Sequence, residues 1–207
     1  MLFVLDSSLV KHIISKIRSK DTNSRDFAFN IKRIAVLLAD KSLEKFETKK
    51  VEIETPITSC IGEELKRNIT IIPVLRAGLP MADAIHELLD NSTIGHMGLY
   101  RDPKTIKPVE YYMKMPVSIE GSDVIICDPL LATGNSIVKT IELIKSKHSV
   151  NSITVLSVIS AREGIKNVEK HYPDIWIYTA ALDEKMNDHS YIVPGAGDAG
   201  DRIFGTK

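Results

Sequence analysis

Three short, mostly apolar runs constrain this chain more than anything else in it: Ile69–Leu75, Asp123–Cys127 and Ile153–Ser160. Each has strand length, and each is followed by a segment with helical spacing: Pro80–Leu89, Ile137–Lys147 and Arg162–His171. A strand that is apolar at successive positions must bury both of its faces, which only a sheet covered on two sides allows. Strands alternating with helices imply parallel βαβ units. The spacing therefore predicts an α/β protein with a central, mostly parallel sheet flanked by helices. Ile94–Leu99 and Ile175–Thr179 read as further strands, Val109–Met115 as a hairpin arm, and the alternation at Val51, Ile53 and Thr55 as one more strand. Ahead of the sheet, residues 7–19 read as a helix through Val10, Ile13, Ile14 and Ile17, with Ser7 or Ser8 as cap. Residues 24–39 read as a second, through Phe27, Ile31, Ile34, Ala35 and Leu38.

Open parallel sheets bind ligands at the carboxyl ends of their strands. Two loops fall there. In the first, Asp128-Pro129-Leu130-Leu131-Ala132-Thr133-Gly134-Asn135-Ser136, an acid ends a strand and small or hydroxyl residues lead into a helix. Free N–H groups and the dipole at a helix N-terminus favour an anion. A carboxylate at Asp128 accepts hydrogen bonds from sugar hydroxyls, so phosphate beside sugar suggests a ribose phosphate. Ordinary capping by Thr133 or Ser136 and an ordinary turn at Asp128 account for the loop equally well. The second loop is Arg76-Ala77-Gly78. An arginine fork suits phosphate oxygens. Arg101 opens a polar, proline-bearing segment, Arg101–Pro108, of the kind that closes over a site. Without Gly-Lys-Ser or Gly-Lys-Thr the chain is not a Walker-type nucleotide triphosphatase.

At 207 residues the chain suits one domain, residues 1–207. Its 27 basic and 27 acidic residues cancel, which predicts no binding to nucleic acid or anionic membrane. No apolar run reaches the length of a membrane span, and no signal-peptide pattern opens the chain. Cys60 and Cys127 make no disulfide framework; a reducing cytoplasm is the default, and Cys127 reads as a small core residue. The six histidines lack ligand spacing, so no protein metal site is expected.

The last segment, Tyr191–Lys207, reads YIVPGAGDAGDRIFGTK. Gly195, Gly197 and Gly200 match G-x-G-x-x-G formally, but that motif must end a strand, open a helix and begin a βαβ unit. Pro194 intervenes and too few residues follow. A glycine-rich loop that brings main chain close to a flat ligand fits better, because Ile192, Val193, Ile203 and Phe204 are too apolar for a solvated tail.

Val74–Gly78, Tyr100-Arg101, Asp128–Ser136 and Tyr191–Lys207, in this order and spacing, together resemble the uracil phosphoribosyltransferase family across nearly the whole chain. The resemblance implies a type I phosphoribosyltransferase fold with a C-terminal base-binding hood at about residues 180–207. It implies that uracil and phosphoribosyl pyrophosphate give uridine monophosphate and pyrophosphate, with Mg²⁺ as cofactor. By position it places Arg76 and Arg101 on pyrophosphate and Asp128, Pro129, Leu130, Leu131, Ala132, Thr133, Gly134, Asn135 and Ser136 on the ribose phosphate. It places Ile192, Gly197, Asp198 and Ala199 at uracil, with Asp198 also reaching the donor through metal or water. Arg101, Asp128 and Asp198 are then the catalytic candidates. Family members form dimers or tetramers and some respond to GTP, which implies a homo-oligomer and GTP as a candidate effector. The chain departs from the family at Asn135 and Pro80, where glycine is usual, at Ala196, usually Leu, and at Ala28, often Arg.

The implied chemistry agrees with these parts. The anomeric carbon loses pyrophosphate through an oxocarbenium-like state, which calls for positioning and charge neutralisation rather than an enzyme nucleophile. Three other readings compete: a phosphoribosyltransferase for another base, a non-catalytic sensor on the same fold, and a Rossmann oxidoreductase. The tail opposes the first. A regulator needs a basic DNA-binding helix, and none is evident. The misplaced glycine motif weakens the third.

Overall fold

The computed structural model describes residues 1–101 and 108–206, with the main chain only for Arg101. The chain opens with β1 (Leu2–Val4), α1 (Ser8–Arg18), α2 (Ser24–Leu43), and the hairpin β2 (Thr48–Glu54) and β3 (Ser59–Leu65). There follow β4 (Ile69–Leu75), α3 (Leu79–Leu88), β5 (Ser92–Ile94), β6 (His96–Arg101) and β7 (Pro108–Lys114). Next come β8 (Asp123–Cys127), β9 (Leu130–Leu131), α4 (Asn135–Lys147), β10 (Ser152–Ala161), α5 (Arg162–His171) and β11 (Trp176–Asp183). A small antiparallel pair, β12 (Lys185–Met186) and β13 (Ile192–Val193), leads to α6 (Ala199–Phe204).

The main sheet runs β1-β11-β10-β8-β4-β6-β7, with β5 beside β4 and β9 beside β10. All its pairings are parallel except β6 with β7. Alternate residues of the central strands enter two separate cores. Ile71, Ile125 and Leu156 pack beneath α1, α2 and α3, while Ile72, Ile126 and Val155 pack beneath α4 and α5. That division explains the unbroken apolar runs: neither face meets water.

Local chemistry sets the element ends. Ser7 accepts from the Val10 N–H at 3.2 Å and starts α1; Asn23 accepts from the Asp26 N–H at 2.9 Å and starts α2. Three expectations need correction, and a fourth is completed by an arm the sequence did not show. The strand expected at Ile94–Leu99 is two strands, β5 and β6, each parallel to β4. The strand expected from the alternation near Val51 forms, as β2, and it pairs with a second arm, β3, that carries no alternating pattern. The helix expected from Ile137 begins at Asn135. The tail is not loop throughout, because α6 forms at its end. Of the proline-bearing segment expected to close over the site, Arg101–Pro108, residues 102–107 lie outside the described residues.

Candidate active site

Three chain segments meet beyond the carboxyl ends of β4 and β8. They line a cleft of about 380 Å³: Ala77 from the first, Asp128, Leu130 and Ala132 from the second, and Tyr191, Ile192 and Gly197–Gly200 from the third. A small recess of about 30 Å³ adjoins it, formed by Asp128 and residues 130–134 with Ser136 and Ile137. Another cavity, of about 400 Å³, lies at the amino ends of the strands, around Asp123, Ser152 and Trp176. Strand topology favours the carboxyl-end cleft, where loops rather than buried strand starts supply the groups.

Asp128 follows β8 directly. Its main-chain N–H donates to Leu156 O at 3.2 Å, and its Oδ1 accepts from the Leu130 N–H at 3.4 Å. The loop beyond it is not loose. Leu130–Leu131 pairs with β10 as β9, and the Pro129 carbonyl accepts from the Val158 and Ile159 N–H groups. Gly134 is the N-cap of α4 with φ +77°. A Cβ there would stand 2.6 Å from the Gly164 carbonyl oxygen, so glycine is required both by conformation and by space. Having no side chain, Gly134 leaves the first N–H groups of a 13-residue helix uncapped by it, and Ser136 and Ile137 of that first turn line the recess. Among the described residues, Thr133 Oγ1 accepts one long bond, 3.4 Å, from the Asn135 N–H. The capping alternative is thus weakly realised, and an anion at the recess gains the helix dipole.

Asn135, where glycine was expected from the resemblance, has no positive φ. Its Oδ1 accepts from Asn167 Nδ2 at 2.8 Å, and the same amide donates to the Thr133 carbonyl at 2.8 Å. The side chain is therefore engaged by α5.

Arg76 follows β4, and the Leu75–Arg76 peptide is cis. Its side chain is about half exposed; Nη2 lies 3.9 Å from Asp201 Oδ1, and the guanidinium sits 5.4 Å from the Phe204 ring centre. Gly78, two residues on, is wedged against the Cys127 main chain. Arg101 is the last residue of β6, opposite Pro108 of β7. Cys127 is fully buried, and burial, with the charge of Asp128, pushes its thiol pKa well above the usual range.

In the tail, Ile192 lies in β13 opposite Met186 and is buried. The Val193–Pro194 peptide is cis, and Gly195 and Gly197 have φ of +56° and +77°. Asp198 caps α6, accepting from the Asp201 N–H at 2.9 Å, and Ala199 is that helix's buried first residue. The supports of this loop escaped the sequence reading. Asp183, at the end of β11, pairs with Arg18, and both hold Gly195. Arg202 donates to the Ala196, Ile17, Ser19 and Thr22 carbonyls and stacks 4.1 Å from the Phe27 ring centre. His189 and Ser190 also reach the cleft, Ser190 with φ +62° in the turn between β12 and β13. Their only signal was the polar run Asn187–Ser190 ahead of the tail.

Comparison with known proteins follows the same lines. The family model described as uracil phosphoribosyltransferase matches residues 4–206. A uracil phosphoribosyltransferase of Malacoplasma penetrans (strain HF-2) is 49% identical over 207 residues, covering 100% of both chains. One of Dictyoglomus thermophilum is 47% identical over 208 residues, again covering 100% of both. Among solved structures, an Aquifex aeolicus protein superposes with a TM-score of 0.90 at 30% identity, covering 99% of this chain and 98% of that one. An adenine phosphoribosyl transferase of Trypanosoma brucei superposes with a TM-score of 0.61 at 14% identity, covering 95% and 88%, a likeness of fold.

Proposed function

The chain belongs to the uracil phosphoribosyltransferase family, and from that premise we propose that it transfers the phosphoribosyl group of phosphoribosyl pyrophosphate to uracil. The products are uridine monophosphate and pyrophosphate, a pyrimidine salvage reaction. The single observation that carries the assignment of residues is the cleft itself, which brings the Arg76 loop, the Asp128 loop and the tail together.

The 5′-phosphate takes the recess at the start of α4, held by N–H groups and the Thr133 and Ser136 hydroxyls. Asp128 accepts from the ribose hydroxyls and orients the anomeric carbon. Arg76 and Arg101 hold pyrophosphate and offset its charge as it leaves. Arg76 is free to turn from Asp201: a long ion pair with a half-exposed arginine is worth at most about 1 kcal/mol. Main-chain groups of Ile192 and Gly197–Ala199 read uracil, since few side chains there reach a base. Residues from about 180 onward form the base-binding hood of a single domain.

No group of three or more His, Cys, Asp or Glu side chains among the described residues is placed to hold a metal. Mg²⁺ fits this cleft without such a cage, because it keeps waters and binds chiefly through substrate oxygens, with Asp128 and Asp198 as the nearby hard donors. When bound it supplies further charge neutralisation on the leaving pyrophosphate.

A homo-oligomer, GTP as effector and a cytoplasmic location belong to the same reading. The exposed Ile57 and Ile61 at the β2–β3 hairpin support self-association. No helix among the described residues is long and apolar enough to cross a membrane. The test is formation of uridine monophosphate from uracil and phosphoribosyl pyrophosphate, abolished by chelating Mg²⁺. Tight donor binding with no turnover on any base would instead favour a sensor on this fold.

A further inference from the structure

The main chain of Gly195 is gripped at both of its hydrogen-bonding groups by one ion pair. Its N–H donates to Asp183 Oδ2 at 2.9 Å, and its carbonyl accepts from Arg18 Nη1 at 2.8 Å. Arg18 and Asp183 are themselves joined as a fork, Nη1 to Oδ2 at 2.8 Å and Nη2 to Oδ1 at 2.6 Å. Asp183 is only 6% exposed. The two residues come from rigid elements far apart in the chain: Arg18 ends α1, and Asp183 ends β11 of the main sheet. Gly195 lies two residues before Gly197, in a stretch whose φ angles only glycine adopts easily.

A loop that reads a base through its main chain has a particular need. Side chains adjust by rotating, whereas a main-chain N–H or carbonyl moves only if the whole loop moves. Fixing both peptide groups of one residue sets the height and tilt of those that follow. An ion pair is well suited here, because charge-assisted forked bonds are short and directional. Lysine cannot replace the arginine, since a single ammonium cannot reach both carboxylate oxygens and the Gly195 carbonyl in one plane.

We propose that Arg18 and Asp183 are positioning residues for base recognition: they fix the Gly195 main chain and through it the height of the Gly197–Ala199 segment against the base. This rests on the reading of the cleft as a uracil site. Neither residue touches substrate; both act through the loop. The 5′-phosphate recess and the Arg76 loop are built from other strand ends, so of the donor's groups only Asp198 lies on the segment that the clamp holds.

The test compares the full-length protein with Arg18→Lys and, as a milder second variant should that one fold poorly, Asp183→Asn. Each is assayed for the KM of uracil and of phosphoribosyl pyrophosphate. Misaligning one or two main-chain hydrogen bonds to the base weakens its binding roughly ten- to a hundredfold. The expected result is a rise of roughly ten- to a hundredfold in the KM of uracil with a distinctly smaller rise, through Asp198 alone, in the KM of the donor. A purely structural role would lower the active fraction, and so the apparent kcat, and leave both KM values alone; that outcome overturns the proposal. So do unchanged constants in a variant that melts like the parent. Failure of the parent protein to make uridine monophosphate would instead overturn the functional reading beneath it.

Discussion

A Cβ placed on Gly78 would stand 2.3 Å from the carbonyl oxygen of Cys127. These two residues are the seam between the arginine loop after β4 and the acidic loop after β8. Because the seam is main chain against main chain, no rotamer change relieves an added methyl group. Gly78→Ala should therefore lower stability by about 1–3 kcal/mol, or about 2–4 °C for each kcal/mol. It should also raise the KM of phosphoribosyl pyrophosphate by displacing Arg76. Thermal melts and donor titrations check both; an unchanged melting temperature would mean that the loops are not locked at this point.

The proposed donor loop should separate into two roles. Asp128→Ala should reduce turnover through loss of ribose positioning, and Thr133→Val should mainly weaken donor binding. A lost hydrogen bond to a charged group is worth about 1.5–3 kcal/mol, roughly ten- to a hundredfold. Steady-state kinetics on both variants decide the matter; full activity in the two together would remove this loop from the donor site.

The sheet and its flanking helices were legible because residues such as Ile71 and Ile72 are both apolar yet feed opposite cores. A two-sided burial requirement leaves its mark on every position of a strand. The second arm of the hairpin, Ser59–Leu65, left none, since nearly all of it is exposed and its pairing with β2 is made by main chain. The short helix α6 was hidden for a different reason. Six residues among glycines carry little helical propensity, and α6 is held by the Asp198 cap and its packing against α2.

The loops that meet at the cleft were visible as local patterns, and strand topology alone brought Arg76 and Asp128 to the same edge. What holds the tail was not visible. Arg18 and Asp183 are 165 positions apart, and nothing local distinguishes them from surface charges. Asn135 shows the limit of comparing single positions: its side chain is held by Asn167, on another helix.

Arg101 ends β6 beside the polar segment that follows it. If it meets pyrophosphate as that group departs, it acts on the barrier more than on base binding. Arg101→Ala should thus lower kcat markedly while leaving the KM of uracil nearly unchanged. Normal turnover with only a raised KM for uracil would remove Arg101 from this role.

Cys127 provides a pH test of the core beneath the donor loop. Burial raises its pKa in the folded protein, with Asp128 adding to the effect. The native thiol keeps its proton where the unfolded one loses it. Its contribution to stability is full below the unfolded value of about 8.5 and declines as the pH rises above it, by about 1.4 kcal/mol per pH unit. Urea melts between about pH 7.5 and 9.5 should show the parent losing more stability than Cys127→Ala. Parallel curves would contradict the buried, protonated thiol.

The most direct test of the account offers labelled uracil, cytosine, orotate and hypoxanthine in turn, each with phosphoribosyl pyrophosphate and Mg²⁺, and reads the nucleotide formed. Uracil presents carbonyl acceptors on either side of an N–H donor, a pattern that tail amides can match. Cytosine puts a donor where one acceptor stood, leaving a buried N–H unpaired at a cost of roughly 1–3 kcal/mol, and a site built for specific hydrogen bonds rejects such a mismatch by up to about 10⁴. The account predicts uridine monophosphate as the one substantial product. Comparable use of cytosine, or preferred use of orotate or hypoxanthine, would contradict it.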